Sequence, residues 1–489
     1  MNTQTMNTGR ADVPAASASV REKLASNSIG LAHIVFFVVA AAAPLTAVVG
    51  ATPPAFAFGS GAGVPGAFLV AGLVYLIFAV GFTAMSRHVG SAGAFYTYIT
   101  QGLGKPLGVG GAMMALATYA TVQLAIYGLF SVFMGGAMAP LGIDPPWYVW
   151  AFGVLAVVTF FGQYNISISG KILGVCMIAE VAMLLLLNVG ILMGGGAEGL
   201  SWSGLRPTQV FGAGFGVTLV FVIGSFIGFE ATAIFGEEAT NPAKTIPRAT
   251  YVAVLLITLF YAFSTWAIVQ FYGPSKVVAS ANASLDNFYF NAASRVLGGW
   301  SVQLLKVLLI TSLFACLLSF HNTLNRYMFA LGREGVAWAP LARVHPRHGS
   351  PYFAGRAQAV LVAMVLLAFA AFKADPYQFV FPWMSALAVI GVLAVQVLVC
   401  IAIIAFFRRT STDHSVFSTT IAPAIACLGL IGFFLQVSFN LELLTGSKSL
   451  IVAAFPLLML ALGAGGVLFA LRLRNTKPLI YERLGKAFE

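Results

Sequence analysis

Charge is what this chain has least of. Asp, Glu, Lys and Arg make up 8% of its 489 residues, against roughly 25% in soluble domains. That deficit excludes an ordinary soluble globule. Cysteine is scarce as well: Cys176, Cys316, Cys400 and Cys427 each fall inside an apolar run, with no paired spacing. Neither a disulfide framework nor a metal site is expected from them. There is no H-E-x-x-H pair, no nucleophile elbow and no cysteine–histidine constellation, which argues against an intramembrane enzyme. No Walker lysine motif is present to power a pump, and no repeated carbonyl-filter segment suggests a channel. His33, His88, His321, His345 and His348 are placed mostly near membrane edges. A cleavable leader is not expected either. The first 28 residues are polar and rich in small side chains, and read as a disordered tail. The first apolar segment is therefore expected to stay in the mature protein.

What the chain has instead is apolar surface. Hydrophobic residues make up 59% of it, and its mean hydropathy is +0.92. About 20 apolar residues suffice to cross a bilayer as a helix. Apolar runs between turn signals give twelve spans, near 31–58, 65–86, 106–137, 147–164, 171–193, 211–236, 249–273, 300–331, 357–373, 377–407, 419–438 and 449–471. The "KADP" at 373–376 must serve as the turn between the ninth and tenth. The net charge of +11 comes from basic residues in loops and tails, not from a nucleic-acid patch. With a cytoplasmic N-terminus, only Arg206, Lys276, Arg295, Lys306, Lys373 and Lys448 of the 26 Lys and Arg face outward. Such a bias toward the inside sets orientation and puts both termini in the cytoplasm.

Two spans look broken. The first carries Pro44, which lacks an N–H and crowds the preceding turn. The sixth carries Gly224 and Gly228 on either side of Ser225-Phe226-Ile227. Unwound backbone at membrane depth is tolerated where it lines a cavity. Interruptions at matching places in two halves point to a transporter with its site at the bilayer midplane.

Three stretches carry a more specific signal: "SRHVGSAGAFYTYITQGLGKPLGVGGAMMA" (86–115), "GFEATAIFGEEATNPAKTIPRA" (228–249) and "NTLNRYMFALGREGVAWAPLARVHPRHGSPYFA" (322–354). In order and separation they resemble signatures of the amino acid–polyamine–organocation (APC) permeases, over roughly residues 30–410. The resemblance implies an all-α membrane protein with a five-plus-five inverted repeat of the leucine-transporter type and two extra C-terminal helices. The organisation follows: a tail over 1–28, a first repeat over 29–206, a second over 207–410, and the last two spans with the C-terminus over 411–489. It also implies a bacterial plasma (inner) membrane and a secondary transporter, one that takes up an amino acid with protons by alternating access. The alternative is an importer or exchanger of an organic amine such as putrescine. No cofactor or metal is called for; the partners are the small-molecule substrate, the proton and the bilayer.

Candidate site residues follow. A carboxylate at the bilayer centre is costly, by roughly 2.5–3.5 kcal/mol on insertion scales, and such residues usually face a cavity or a partner. Glu230 sits in the sixth span and Glu180 in the fifth. Burial disfavours the charged form of a carboxyl, so both are candidates for carrying a proton. Glu230 is also a candidate for contacting an ammonium, while Glu180 has a structural reading as an acid bonded to Ser312 or Ser319. In members of the resembled family, the substrate carboxylate meets backbone N–H groups at a glycine-rich break in the first span. Here that stretch reads Ala41-Ala42-Ala43-Pro44-Leu45-Thr46. Its ammonium would meet carbonyls around Gly224, Phe226 and Ile227. Tyr119, Gln123 and Tyr127 form a semi-polar stripe that either lines the cavity or packs helices. Phe221, Phe226, Thr311 and Trp383 are candidates for the side-chain pocket. Glu237 and Glu238 are read as structural or gating, within reach of Arg87 or Arg248.

Overall fold

The computed structural model describes residues 30–89, 94–164, 170–234, 239–410 and 415–485. Among them the regular structure is helical, apart from isolated bridge residues at Ala197, Gly199 and Ala239. The first elements are α1 (Leu31–Ala42), a π-helical turn (Thr46–Ala51), α2 (Pro53–Phe58) and α3 (Val64–Ser86). Then come α4 (Ala94–Leu103), α5 (Lys105–Met138), α6 (Trp147–Gln163) and α7 (Gly170–Met193). A second series holds α8 (Phe215–Gly224), α9 (Ala231–Ile234) and α10 (Pro242–Tyr272). Two short helices, α11 (Val277–Ala283) and α12 (Phe288–Leu297), lead into α13 (Gly299–Arg333), α14 (Tyr352–Ala371) and α15 (Phe381–Arg409). The chain ends in α16 (Ala422–Phe439), α17 (Phe455–Thr476) and α18 (Pro478–Arg483).

Nine helices among the described residues are long and apolar enough to cross a membrane. Three shorter apolar helices, Thr46–Phe58, Trp147–Gln163 and Phe215–Gly224, stand where the first, fourth and sixth spans are expected. The first and sixth are interrupted, as the proline and glycines suggest. Two prolines bear on the seventh span. The helix begins earlier, at Pro242, and carries Pro247 inside it.

Burial sorts centre from edge. In α15 and α10 the most apolar window is 72% and 67% buried, while in α14 and α17 it is 28%. The first pair is therefore wrapped by protein on most sides and the second presents most of its surface to lipid. Small residues let helices approach where lipid offers no hydrophobic drive to associate. A Cβ on Gly110 of α5 would lie 2.7 Å from the carbonyl oxygen of Gly463 on α17. At the expected "KADP" turn, Asp375 accepts bonds from the N–H groups of Tyr377 and Gln378, both at 2.8 Å. That caps a second π-helical turn, Pro376–Val380.

Candidate functional site

The break in the first span lies at Ala43, which has a φ of +44°. A following proline disfavours the helical region for the residue before it. A left-handed L-residue costs roughly 1–2 kcal/mol, so the surroundings must hold this conformation in place. They do so with polar groups from three other helices. Tyr261 of α10 donates to the Ala42 carbonyl at 3.2 Å. The Leu45 N–H points at Glu180 Oε2 of α7 at 3.4 Å. Ser312 of α13 donates to the same oxygen at 2.9 Å and accepts from Thr46 Oγ1 at 3.1 Å. Glu180 thus bonds Ser312, as its structural reading had it, and also faces the broken backbone.

The sixth span breaks after Gly224. Residues 225–230 form turns, and Gly228 takes a φ of +115°, a conformation available to little but glycine. Glu230 folds back so that Oε2 accepts from the Gly228 N–H at 2.9 Å. Its Oε1 accepts from Tyr119 of α5 at 2.6 Å. Glu180 and Glu230 are 4% and 1% exposed. Each closes a gap in a helix.

Between the two breaks lies a cavity of about 80 Å³. Ala42, Ala43, Thr46 and Ala47 line it from the first span, and Phe221, Gly224, Ser225 and Ile227 from the sixth. The α5 wall is Val122, Ala125, Ile126 and Leu129; α13 adds Cys316 and Phe320; α15 adds Phe381 and Ser385. Among the described residues, no lining side chain carries a charge.

Several sequence candidates lie behind this wall. Phe226 is fully buried and stacks on Tyr75 with centroids 4.7 Å apart. Gln123 is also buried, its amide nitrogen 3.4 Å from the Tyr127 hydroxyl and its Oε1 without a partner. Tyr119 is engaged with Glu230. The polar stripe of α5 thus runs beside the lining face, which is apolar. Neither Thr311 nor Trp383 lines the cavity. Thr311 is exposed, and Trp383 packs among Phe369, Phe379 and Phe455. Glu237 and Glu238 lie outside the described residues. His321 is fully buried in α13 against Gln358 of α14. Gly162 makes the space, since a Cβ there would come within 2.6 Å of the imidazole.

A sequence model described as "Amino acid permease" matches residues 33–472. The chain belongs to that family. The permease is 23% identical over 407 residues to the branched-chain amino acid permease BcaP of Bacillus subtilis, covering 79% of this chain and 82% of that one. To the serine/threonine exchanger SteT of the same organism it is 22% identical, covering 77% and 82%. A third relative is the low-affinity putrescine importer PlaP of Escherichia coli K12, at 23% identity over 59% of the permease and 63% of the importer. The permease is therefore a multi-pass membrane transport protein and not an enzyme. Sequence reasoning missed the apolar face of α5 because Val122, Ala125, Ile126 and Leu129 look like any helix-packing stripe.

Proposed function

We propose that this permease carries a neutral amino acid with an apolar side chain across the membrane by alternating access, together with a proton. The observation that carries the reading is the cavity between the two breaks, walled by aliphatic and aromatic side chains and free of lining charge. An α-amino acid has opposite charges on adjacent atoms, which suit the exposed dipoles of two broken helices. A diamine would bring a second ammonium with no carboxylate on the wall to meet it. The branched-chain permease among the relatives points the same way. Within this reading the backbone of the first break faces the carboxylate, with Thr46 held beside it by Ser312, and the end of α8 faces the ammonium. Ala42, Ala43, Gly224 and Ile227 form the floor. Phe226 and Gln123 support it from behind.

Glu180 is assigned the proton. Ionised, it accepts from Ser312 and faces the Leu45 N–H. Protonation removes acceptor capacity and adds a donor, so the first break is held differently in the two states. Twelve crossings in two inverted halves, 29–206 and 207–410, with both termini in the cytoplasm of a bacterial inner membrane, complete the picture. Glu237 and Glu238 then belong to the cytoplasmic mouth.

One observation favours an amine substrate. Pro44 removes an N–H from the break, and a putrescine importer is among the relatives. A competition panel in proteoliposomes, with and without a pH gradient, separates the two. Leucine, isoleucine and valine should compete and putrescine should not. Competition by putrescine alone overturns the amino acid reading.

A further inference from the structure

Two of the three motif stretches converge away from the cavity, under the end of the chain. Tyr96 and Thr100 belong to α4, within the first stretch, and Glu334 and Gly335 follow α13, within the third. Tyr96 donates from its hydroxyl to Glu334 Oε2 at 2.7 Å. The Gly485 N–H donates to both partners, at 3.0 Å to the Tyr96 oxygen and 3.2 Å to Glu334 Oε1. Lys105, at the start of α5, donates to the Tyr481 and Glu482 carbonyls at 3.0 and 2.9 Å. Its ammonium also sits 5.3 Å from the centre of the Tyr481 ring. Leu484 is 1% exposed and joins Tyr96, Val109, Leu331 and Leu473 in a buried cluster separate from the main core.

We infer that residues 478–485 are a strap that pins α4 onto α5 and the end of α13, restraining opening of the cavity toward this end of the bundle. Gly104 alone joins α4 to α5, and the strap ties both to the end of α13. Movement of α13 against α4 and α5 must strain this junction. Gly485 shows how closely the strap is fitted. It has a φ of +84°, and a Cβ there would stand 2.9 Å from Thr100 Cγ2. The side of Glu334 that faces the strap is likewise buried, the residue being 5% exposed.

The test needs no knowledge of the substrate. Cys316 lines the cavity, and replacing the other three cysteines by serine leaves it as the sole thiol. In that background Gly485→Val and a chain ending at Lys477 release the strap. Tyr96→Phe keeps the ring in its cluster but removes the hydroxyl, and carries the test if the other two fail to fold. Hydrogen exchange of the 94–103 amides and the rate of Cys316 alkylation by N-ethylmaleimide are then measured in proteoliposomes of the full transporter. Release should speed both severalfold at unchanged melting temperature. Faster exchange in α4 with an unchanged Cys316 rate overturns the inference, as does no change in either. A Cys316 rate that rises only in proportion to lost folded protein also overturns it.

Discussion

Glu180 and Glu230 are both buried glutamates but act on different partners. Glu180 reaches across from α7 to a break in another helix, whereas Glu230 closes the break in its own. Glu180→Gln keeps the shape and removes the exchangeable proton. Accumulation driven by a pH gradient should fall at least about tenfold, or 1.4 kcal/mol, while counterflow with no gradient persists. Full gradient-driven uptake by that variant would remove Glu180 from coupling. For Glu230 the bond to Tyr119 makes the expectation different. Tyr119→Phe and Glu230→Gln should weaken all substrates alike, because the group holding the floor is lost and not a contact with one ligand. A panel of KM values that changes only for cationic substrates would restore a direct role. The acids were legible as one-letter anomalies in apolar runs. Their partners were not, because sequence spacing does not say that residue 119 meets residue 230.

At the level of elements, two interrupted helices position nearly everything of interest. Proline and glycine announced both breaks, since each removes a backbone constraint or a donor at a fixed place. The left-handed turn at Ala43 was not foreseeable, because alanine gives no hint of it. Gly228, at a φ of +115°, should not accept a side chain. Gly228→Ala is expected to cost about 1–3 kcal/mol, read as a lower melting temperature with loss of transport. Gly224 contrasts with it. A Cβ there meets nothing within 4 Å, so Gly224→Ala should fold normally. It takes volume from the cavity, and KM should rise more for leucine than for alanine. Equal KM changes for both would place the substrate elsewhere.

For the molecule as a whole, helix class and the positions of most spans followed from apolar length alone, a signal strong in a chain with so little charge. The order of packing did not. The greater hydropathy of α15, 3.0 against 1.9 for α14, agrees with its inner place but does not name the helices that cover it. Backbone-close crossings such as Gly110 on Gly463 show where such packing is decided. Gly110→Leu should drive α5 and α17 apart and lower the melting temperature of the detergent-solubilised protein, with the cavity residues untouched.

The uncharged wall of the cavity has an electrical consequence. On the proposed reading, the zwitterion moves no net charge, so the membrane voltage acts on the accompanying proton alone. With one proton per substrate, 100 mV supplies about 2.3 kcal/mol, enough for a roughly 50-fold concentration ratio. An imposed potassium diffusion potential, negative inside and at equal pH on both faces, should therefore drive leucine inward without any proton gradient. A flat response to voltage would mean that the translocated complex is neutral.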